Sequence, residues 1–171
     1  MISNDTWHPN NQIVLSGEVD EAMFVSCIKQ LGTIKPNAPI YVDLNTDGGD
    51  WYYGIGIYDR LSMCKQEVII RVWGCAMSMG SVILQAGDKR LVAPNAMIMV
   101  HSISETLGGN VHEIGLQHQI TKQLCDKMFR IFAEKSHKSN QFWALKCKKD
   151  FYITAQEAIK LGLADEIIEE I

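Results

Sequence analysis

Three short apolar runs, Ile13-Val14-Leu15, Ile40 to Leu44 and Val68 to Trp73, begin 27 and 28 residues apart. Each is followed by a small or turn-forming segment (Ser16-Gly17, Asn45 to Gly49, Gly74 to Ala76) and then by a helix-like stretch. Short apolar runs bounded by turn formers read as buried strands. The helical candidates are Asp20 to Leu31, Tyr52 to Met63 and Ser78 to Ala86. Strand, turn and helix repeating at a near-constant interval predict a winding α/β architecture whose layers bury a shared core. The three units share little identity, so the repeat is structural rather than literal.

The rest of the chain keeps this grammar. Lys89 to Val92 and Met97 to His101 read as two strands joined through the turn signal Ala93-Pro94-Asn95-Ala96. Gly108-Gly109-Asn110 then opens a long helix, about Val111 to Lys135, along which Ile114, Ile120, Leu124, Met128, Ile131 and Phe132 recur at helical spacing. It exceeds an average helix in length, and two readings stay open: docking on its own domain, or an apolar face shared with a second subunit. Thr154-Ala155-Gln156-Glu157 has the form of a helix start, with Thr154 as cap and Glu157 reaching back. Gly162 stops that helix, and Ala164 to Ile168 forms a closing strand. No linker or low-complexity stretch divides residues 1–171, which read as a single domain with a short, flexible N-terminal segment over residues 1–12.

Composition narrows the function classes. A chain of 171 residues with 47% apolar content builds a substantial core. A formal charge of −4, with Lys146, Lys148 and Lys149 as the densest basic patch, argues against nucleic acid as a partner. No apolar run approaches the ~18 residues of a membrane span, and Met1 to Asn11 lacks the pattern of a signal peptide. Cys27, Cys64, Cys75, Cys125 and Cys147 are scattered, odd in number and free of a CxxC pair. They read as thiols in a reducing compartment, which points to the cytoplasm.

Chemistry concentrates at Gly74-Cys75-Ala76-Met77-Ser78-Met79-Gly80-Ser81. Here one serine among small residues stands where a buried strand gives way to a helix. A helix start offers a positive dipole end and unpaired N–H groups, both favourable to the negative charge that develops in acyl transfer. Serine needs a base, usually histidine, and the imidazole needs a carboxylate to fix its tautomer. Ser78, His101 at the end of an apolar run, and Asp150 before Phe151-Tyr152 can fill these roles, although from spacing alone a lone histidine at a strand end is more often structural than catalytic. His8, His112, His118 and His137 compete as the base; His112 and His118 are six apart, off the spacing of helical metal ligands, and no cysteine completes a zinc set. The turn Asn45 to Asp50 carries Gly48-Gly49 and reads in two ways. Its backbone N–H forms an oxyanion hole with that of Met79, or the glycines make only a tight strand-to-helix turn.

In order along the chain stand Asn45-x-x-Gly48-Gly49, Gly54-x-x-Ile57-Tyr58-Asp59, Ala76-x-Ser78-Met79-Gly80-Ser81, Ala86-Gly87, Pro94-Asn95, Met99-x-His101, Gly108-Gly109 and Asp150-x-x-x-Thr154-Ala155-x-Glu157-Ala158-x-x-x-Gly162-Leu163. In this series the chain resembles ClpP, the proteolytic subunit of the Clp protease, from about Ile13 to Ile168. The resemblance implies an α/β fold of the ClpP and crotonase kind, a spiral of strand-strand-helix units with a protruding handle helix. It implies a serine endopeptidase with Ser78 as nucleophile, His101 as base and Asp150 as orienting acid. Gly49 and Met79 would supply the oxyanion N–H groups. It further implies a homo-oligomeric ring acting on peptides or unfolded proteins through an acyl-enzyme, with no cofactor and no metal.

The chain also departs from that family. Asp47 replaces the proline usual before the paired glycines and Asp50 follows them, and two readings stay open: these carboxylates raise the pKa of His101, or they simply face solvent. Trp51 stands where a smaller aliphatic residue is usual and is expected to shape the substrate-binding site. Lys148-Lys149 replace an acidic-basic pair used between rings. The dozen residues before the first strand are too few for the segment that engages an ATP-dependent unfoldase in the family. The sequence therefore predicts cleavage of short unstructured peptides and poor degradation of folded proteins. Two alternatives remain at this level: a non-catalytic ring subunit or scaffold, and a crotonase-like acyl-CoA enzyme suggested by Gly48-Gly49-Asp50.

Overall fold

A computed structural model describes residues 11–169. Most of the N-terminal segment expected over residues 1–12, with His8, lies outside the described residues. The exceptions are Asn11, whose buried amide donates to the Lys35 carbonyl at 3.1 Å, and Gln12, which opens the first strand.

The repeated units form the first half of the fold: β1 (Gln12–Val19), α1 (Glu21–Leu31), β2 (Ile40–Gly49), α2 (Trp51–Ser62), β3 (Val68–Met77) and α3 (Met79–Leu84). Then follow β4 (Lys89–Val92), β5 (Met97–Val100), α4 (Val111–Lys135), α5 (Asn140–Lys146), β6 (Phe151–Thr154), α6 (Ala155–Leu161) and β7 (Glu166–Ile167). The strands make one sheet in the order β1-β2-β3-β4-β7, parallel throughout, with β5 also parallel to β3 and β6 antiparallel to β5. The mixed α/β architecture with a mostly parallel sheet agrees with the fold class read from the sequence. Ile13, Leu15, Val42, Leu44, Ile70 and Val72 are fully buried, as parallel strands with helices against them require.

The three segments read as turns are kinks inside longer strands. Register shifts fall between Ser16 and Glu18 of β1 and between Leu44 and Thr46 of β2. β3 changes partner at the same level: Ile69 to Val72 pair with β4, and Cys75 to Met77 pair with β5. Gly74, at φ 82, permits that bend, and the Asn45 side chain braces it by accepting from the Cys75 N–H at 3.1 Å. The strands β4 and β5, expected as neighbours across a turn, do not pair with each other. Each instead lies along a different half of β3.

The helices start and stop where local chemistry satisfies their ends. The Asp20 and Asp50 side chains cap α1 and α2, and Asn110 with Glu113 forms a capping box on α4. Thr154 and Glu157 do the same for α6, which Gly162 ends in the left-handed conformation at φ 78. The expected stripe along α4 divides. Leu124, Met128 and Phe132 are buried within this chain, with Phe132 5.3 Å from the Trp143 ring of α5, whereas Val111, Ile114, Leu116 and Ile120 near the helix start are exposed. Leu124 thus belongs to the chain's own core.

Two polar clusters, each built on a buried arginine, join distant elements. Arg90 donates to Gln85 Oε1 (2.7 Å), the Gly162 carbonyl (2.9 Å), the Lys135 carbonyl (3.0 Å) and the Asp165 carboxylate (2.6 Å), tying the ends of α3, α4 and α6 to β4. On the other part of the sheet Asp43 accepts from Arg71 Nε at 2.7 Å and from Trp73 Nε1 at 2.8 Å.

Candidate active site

Ser78 is the N-cap of α3, one residue past β3, with φ 50 and ψ −118. A non-glycine residue there carries strain of about 1–3 kcal/mol, which persists only where the surroundings hold it. They do so from three sides. The Ser78 N–H donates to the Met99 carbonyl of β5 at 2.8 Å, and the Ser78 carbonyl accepts from the N–H and hydroxyl of buried Ser81 at 3.0 and 2.6 Å. From β2, Gly48 closes over the serine: a Cβ on Gly48 would lie 2.7 Å from Ser78 Cβ and 2.9 Å from the Met77 carbonyl oxygen. The sharp strand-to-helix turn leaves Ser78 on the wall of a cleft.

His101 is the first residue beyond β5. Because β5 runs parallel to the end of β3, with Met77 opposite Met99, the histidine emerges beside Ser78, and its Nε2 lies 2.7 Å from Ser78 Oγ. This separation suits proton transfer from hydroxyl to imidazole. Asp150 immediately precedes β6, whose antiparallel register puts Val100 opposite Phe151. One further step in that register brings His101 opposite Asp150. The Asp150 side chain is exposed and makes no hydrogen bond to His101 among the described residues. The fold therefore joins Ser78 to His101 and delivers Asp150 to the neighbouring backbone position without a carboxylate–imidazole contact. Of the other histidines described, His112 and His118 lie on the exposed first half of α4, and the His137 N–H donates to the Leu161 carbonyl beside α6.

Gly49, Trp51 and Met79 line one cleft with Ser78 and His101. Met79 is the first residue of α3, so its N–H has no partner within that helix. Trp51 opens α2, is buried and forms part of the cleft wall. Trp51 and Tyr52 are helical, and β2 ends at Gly49.

Of the two readings of Asp47 and Asp50, the structure shows the second: both residues are exposed, and neither bonds to His101 among the described residues. Asp50 Oδ1 accepts from the Tyr52 and Tyr53 N–H groups at 2.7 and 3.1 Å, and Asp47 Oδ1 accepts from Cys75 Sγ at 3.3 Å. Burial, and then the hydrogen bond to Asp47 with its charge, push the Cys75 thiol up to about 11. The thiol three residues from Ser78 thus stays protonated at neutral pH and is a poor nucleophile.

Sequence reasoning missed Gly48 and Ser81 as supports of the serine. Both stand inside the quoted motifs, but their contacts depend on how β2 meets β3. Among the described residues no group of His, Cys, Asp and Glu is placed to hold a metal ion, and no helix is long and apolar enough to cross a membrane.

The family model for Clp protease matches residues 5–171. The ATP-dependent Clp protease proteolytic subunit of Deinococcus radiodurans is 32% identical over 163 residues, covering 92% of this chain and 80% of that protein.

Proposed function

The chain belongs to the Clp protease family, and from that premise we propose that it is a serine endopeptidase acting through Ser78, His101 and Asp150. The observation that carries the reading is the 2.7 Å approach of His101 Nε2 to the hydroxyl of a serine held at positive φ on the wall of a cleft. A scaffold would gain nothing from keeping a strained serine against an imidazole.

In the proposed reaction His101 accepts the Ser78 proton as Oγ attacks the peptide carbonyl. The N–H groups of Gly49 and Met79 receive the developing oxyanion, aided by the N-terminus of α3. His101 then protonates the leaving amine, and the acyl-enzyme on Ser78 is released by a water that the same imidazole deprotonates. Asp150, brought opposite His101 by the β5–β6 register, rotates its carboxylate onto the imidazole and fixes its tautomer. The chemistry consumes no ATP. The relative's name pairs such a subunit with ATP-dependent proteolysis, so an unfoldase would be a separate protein. A homo-oligomeric ring and a cytoplasmic location complete the proposal, and the exposed first half of α4 offers apolar surface for subunit contact.

A fluorophosphonate probe tests it: the expected result is one adduct per chain at Ser78, lost in Ser78→Ala and strongly slowed in His101→Ala. An intact, folded protein that stays unlabelled would favour a ring subunit without activity.

A further inference from the structure

The cleft beside Ser78 encloses about 210 Å³, and its walls divide by chemistry. Trp51, Met79, Val82, Ile103 and Met128 line it, of which all but the half-buried Ile103 are buried. Glu105, in the segment between β5 and α4, is exposed at the same cleft. Its Oε2 accepts from Thr121 Oγ1 of α4 at 2.6 Å, which anchors the carboxylate. Its other oxygen has no hydrogen-bond partner among the described residues. Asp50 adds a second negative charge, although its Oδ1 is committed to capping α2, and neither Lys nor Arg lines the cleft.

We infer that this cleft selects a substrate side chain with an apolar stem and a cationic head, lysine or arginine, on the acyl side of the cleaved bond. Glu105 is the residue that sets the preference. The inference rests on the serine peptidase reading and deepens it. Long basic side chains bury their methylenes against apolar surface while the charged end stays near water. Here the stem would lie along Trp51, Val82 and Met128, and the head would meet the free oxygen of Glu105 at the rim. A carboxylate already fixed by Thr121 gives up little freedom on binding, and charge-assisted hydrogen bonds are the stronger ones. An acidic side chain in the same place would be repelled by both carboxylates, and a neutral aliphatic one would leave the free Glu105 oxygen unused.

The test uses the full chain and peptidyl diphenyl phosphonates, which add covalently to the nucleophile with loss of phenol, so that mass spectrometry of the Ser78 peptide reports the rate. Three probes differ only in the residue next to phosphorus: an arginine mimic, norleucine and glutamate. The expected order of inactivation is arginine, norleucine, glutamate, and the arginine-to-norleucine ratio falls about tenfold in Glu105→Gln, the scale of one hydrogen bond to a charged group. Glu105→Lys should invert the order of the arginine and glutamate probes, and added salt should shrink the wild-type ratio, since the head group is exposed. A plain fluorophosphonate separates the two ways of failing. If it labels Ser78 while the wild type shows no preference for arginine, or the ratio is unmoved in Glu105→Gln, the selectivity is refuted and the peptidase reading stands. If no probe labels Ser78, both are wrong.

Discussion

Replacing Gly48 by alanine adds one methyl group at the point where β2 presses on the serine turn. The residue sits at φ 105, outside the regions an L-residue occupies, so alanine there costs about 1–3 kcal/mol in backbone strain. The new Cβ would stand 2.7 Å from Ser78 Cβ and 2.9 Å from the Met77 carbonyl oxygen, whereas carbon atoms settle at about 3.5–4.0 Å. Relieving that overlap in a packed interior adds about 1–3 kcal/mol. A total of about 4 kcal/mol, with an m value of about 2 kcal/mol/M, lowers the urea midpoint by about 2 M. The easiest relief is to push the serine turn away from β2 and so away from His101, and a misplacement of about 1 Å costs on the order of 100-fold in rate. Gly17→Ala is the control: Gly17 also has positive φ, 98, but nothing lies within 4 Å of its added Cβ. Urea unfolding and the rate of fluorophosphonate labelling at Ser78, measured in native buffer, read the two effects separately. Gly17→Ala should lose stability and keep its labelling rate; Gly48→Ala should lose both. Labelling of Gly48→Ala at the wild-type rate, or equal loss of labelling in both variants, would refute the claim that Gly48 holds Ser78 in place.

Ser78→Ala and Ser78→Gly should both lose peptide hydrolysis, but the glycine variant, free of positive-φ strain, should be the more stable by about 1 kcal/mol in urea; equal midpoints would show that the turn stores no strain. Asp150→Asn should slow hydrolysis by at least about 100-fold with little change in stability, because the side chain is exposed; activity within twofold of wild type would leave a Ser–His pair acting without the carboxylate. Burial alone would raise the Asp165 carboxyl, but the hydrogen bonds and charge of Arg90 outweigh it and hold the group below the ordinary carboxylate range. Its contribution is therefore fully present above the unfolded value of about 3.9 and disappears as pH falls through the lower folded value. The melting-temperature gap between wild type and Asp165→Asn should be open at pH 6 and close towards pH 2; a gap that does not narrow on acidification removes this account.

Features governed by neighbours in sequence were legible before the fold was. Asp20, the Thr154–Glu157 box and Gly162 mark helix ends through bonds spanning a few residues, and they behave as their residue types dictate. The helix from Val111 to Lys135 follows from its apolar spacing and the Asn110 cap. Features that depend on a distant partner were not legible. Phe151 to Thr154 is a four-residue strand that exists because β5 is there to pair with it, and α5 is a seven-residue helix held by the burial of Trp143. Gly74 has the signature of a turn, yet it sits inside a strand because β3 changes partners across it. The Arg90–Asp165 pair spans 75 positions and leaves no local trace.

The candidate site divides along the same line. A serine at a strand-to-helix junction is a local pattern, but its 2.7 Å contact with His101 follows from β5 running parallel to the second half of β3. That pairing in turn needs the bend at Gly74 that releases β3 from β4. If the three kinks at Gly17, Asn45 and Gly74 were straightened, β3 would continue along β4, and β5 would have no edge from which to deliver His101. The irregularities that blurred the strand ends in the sequence are thus the features that bring His101 to Ser78. The same bend fixes the antiparallel pairing of β6 on β5, so the placement of Asp150 opposite His101 depends on one glycine 76 residues earlier in the chain.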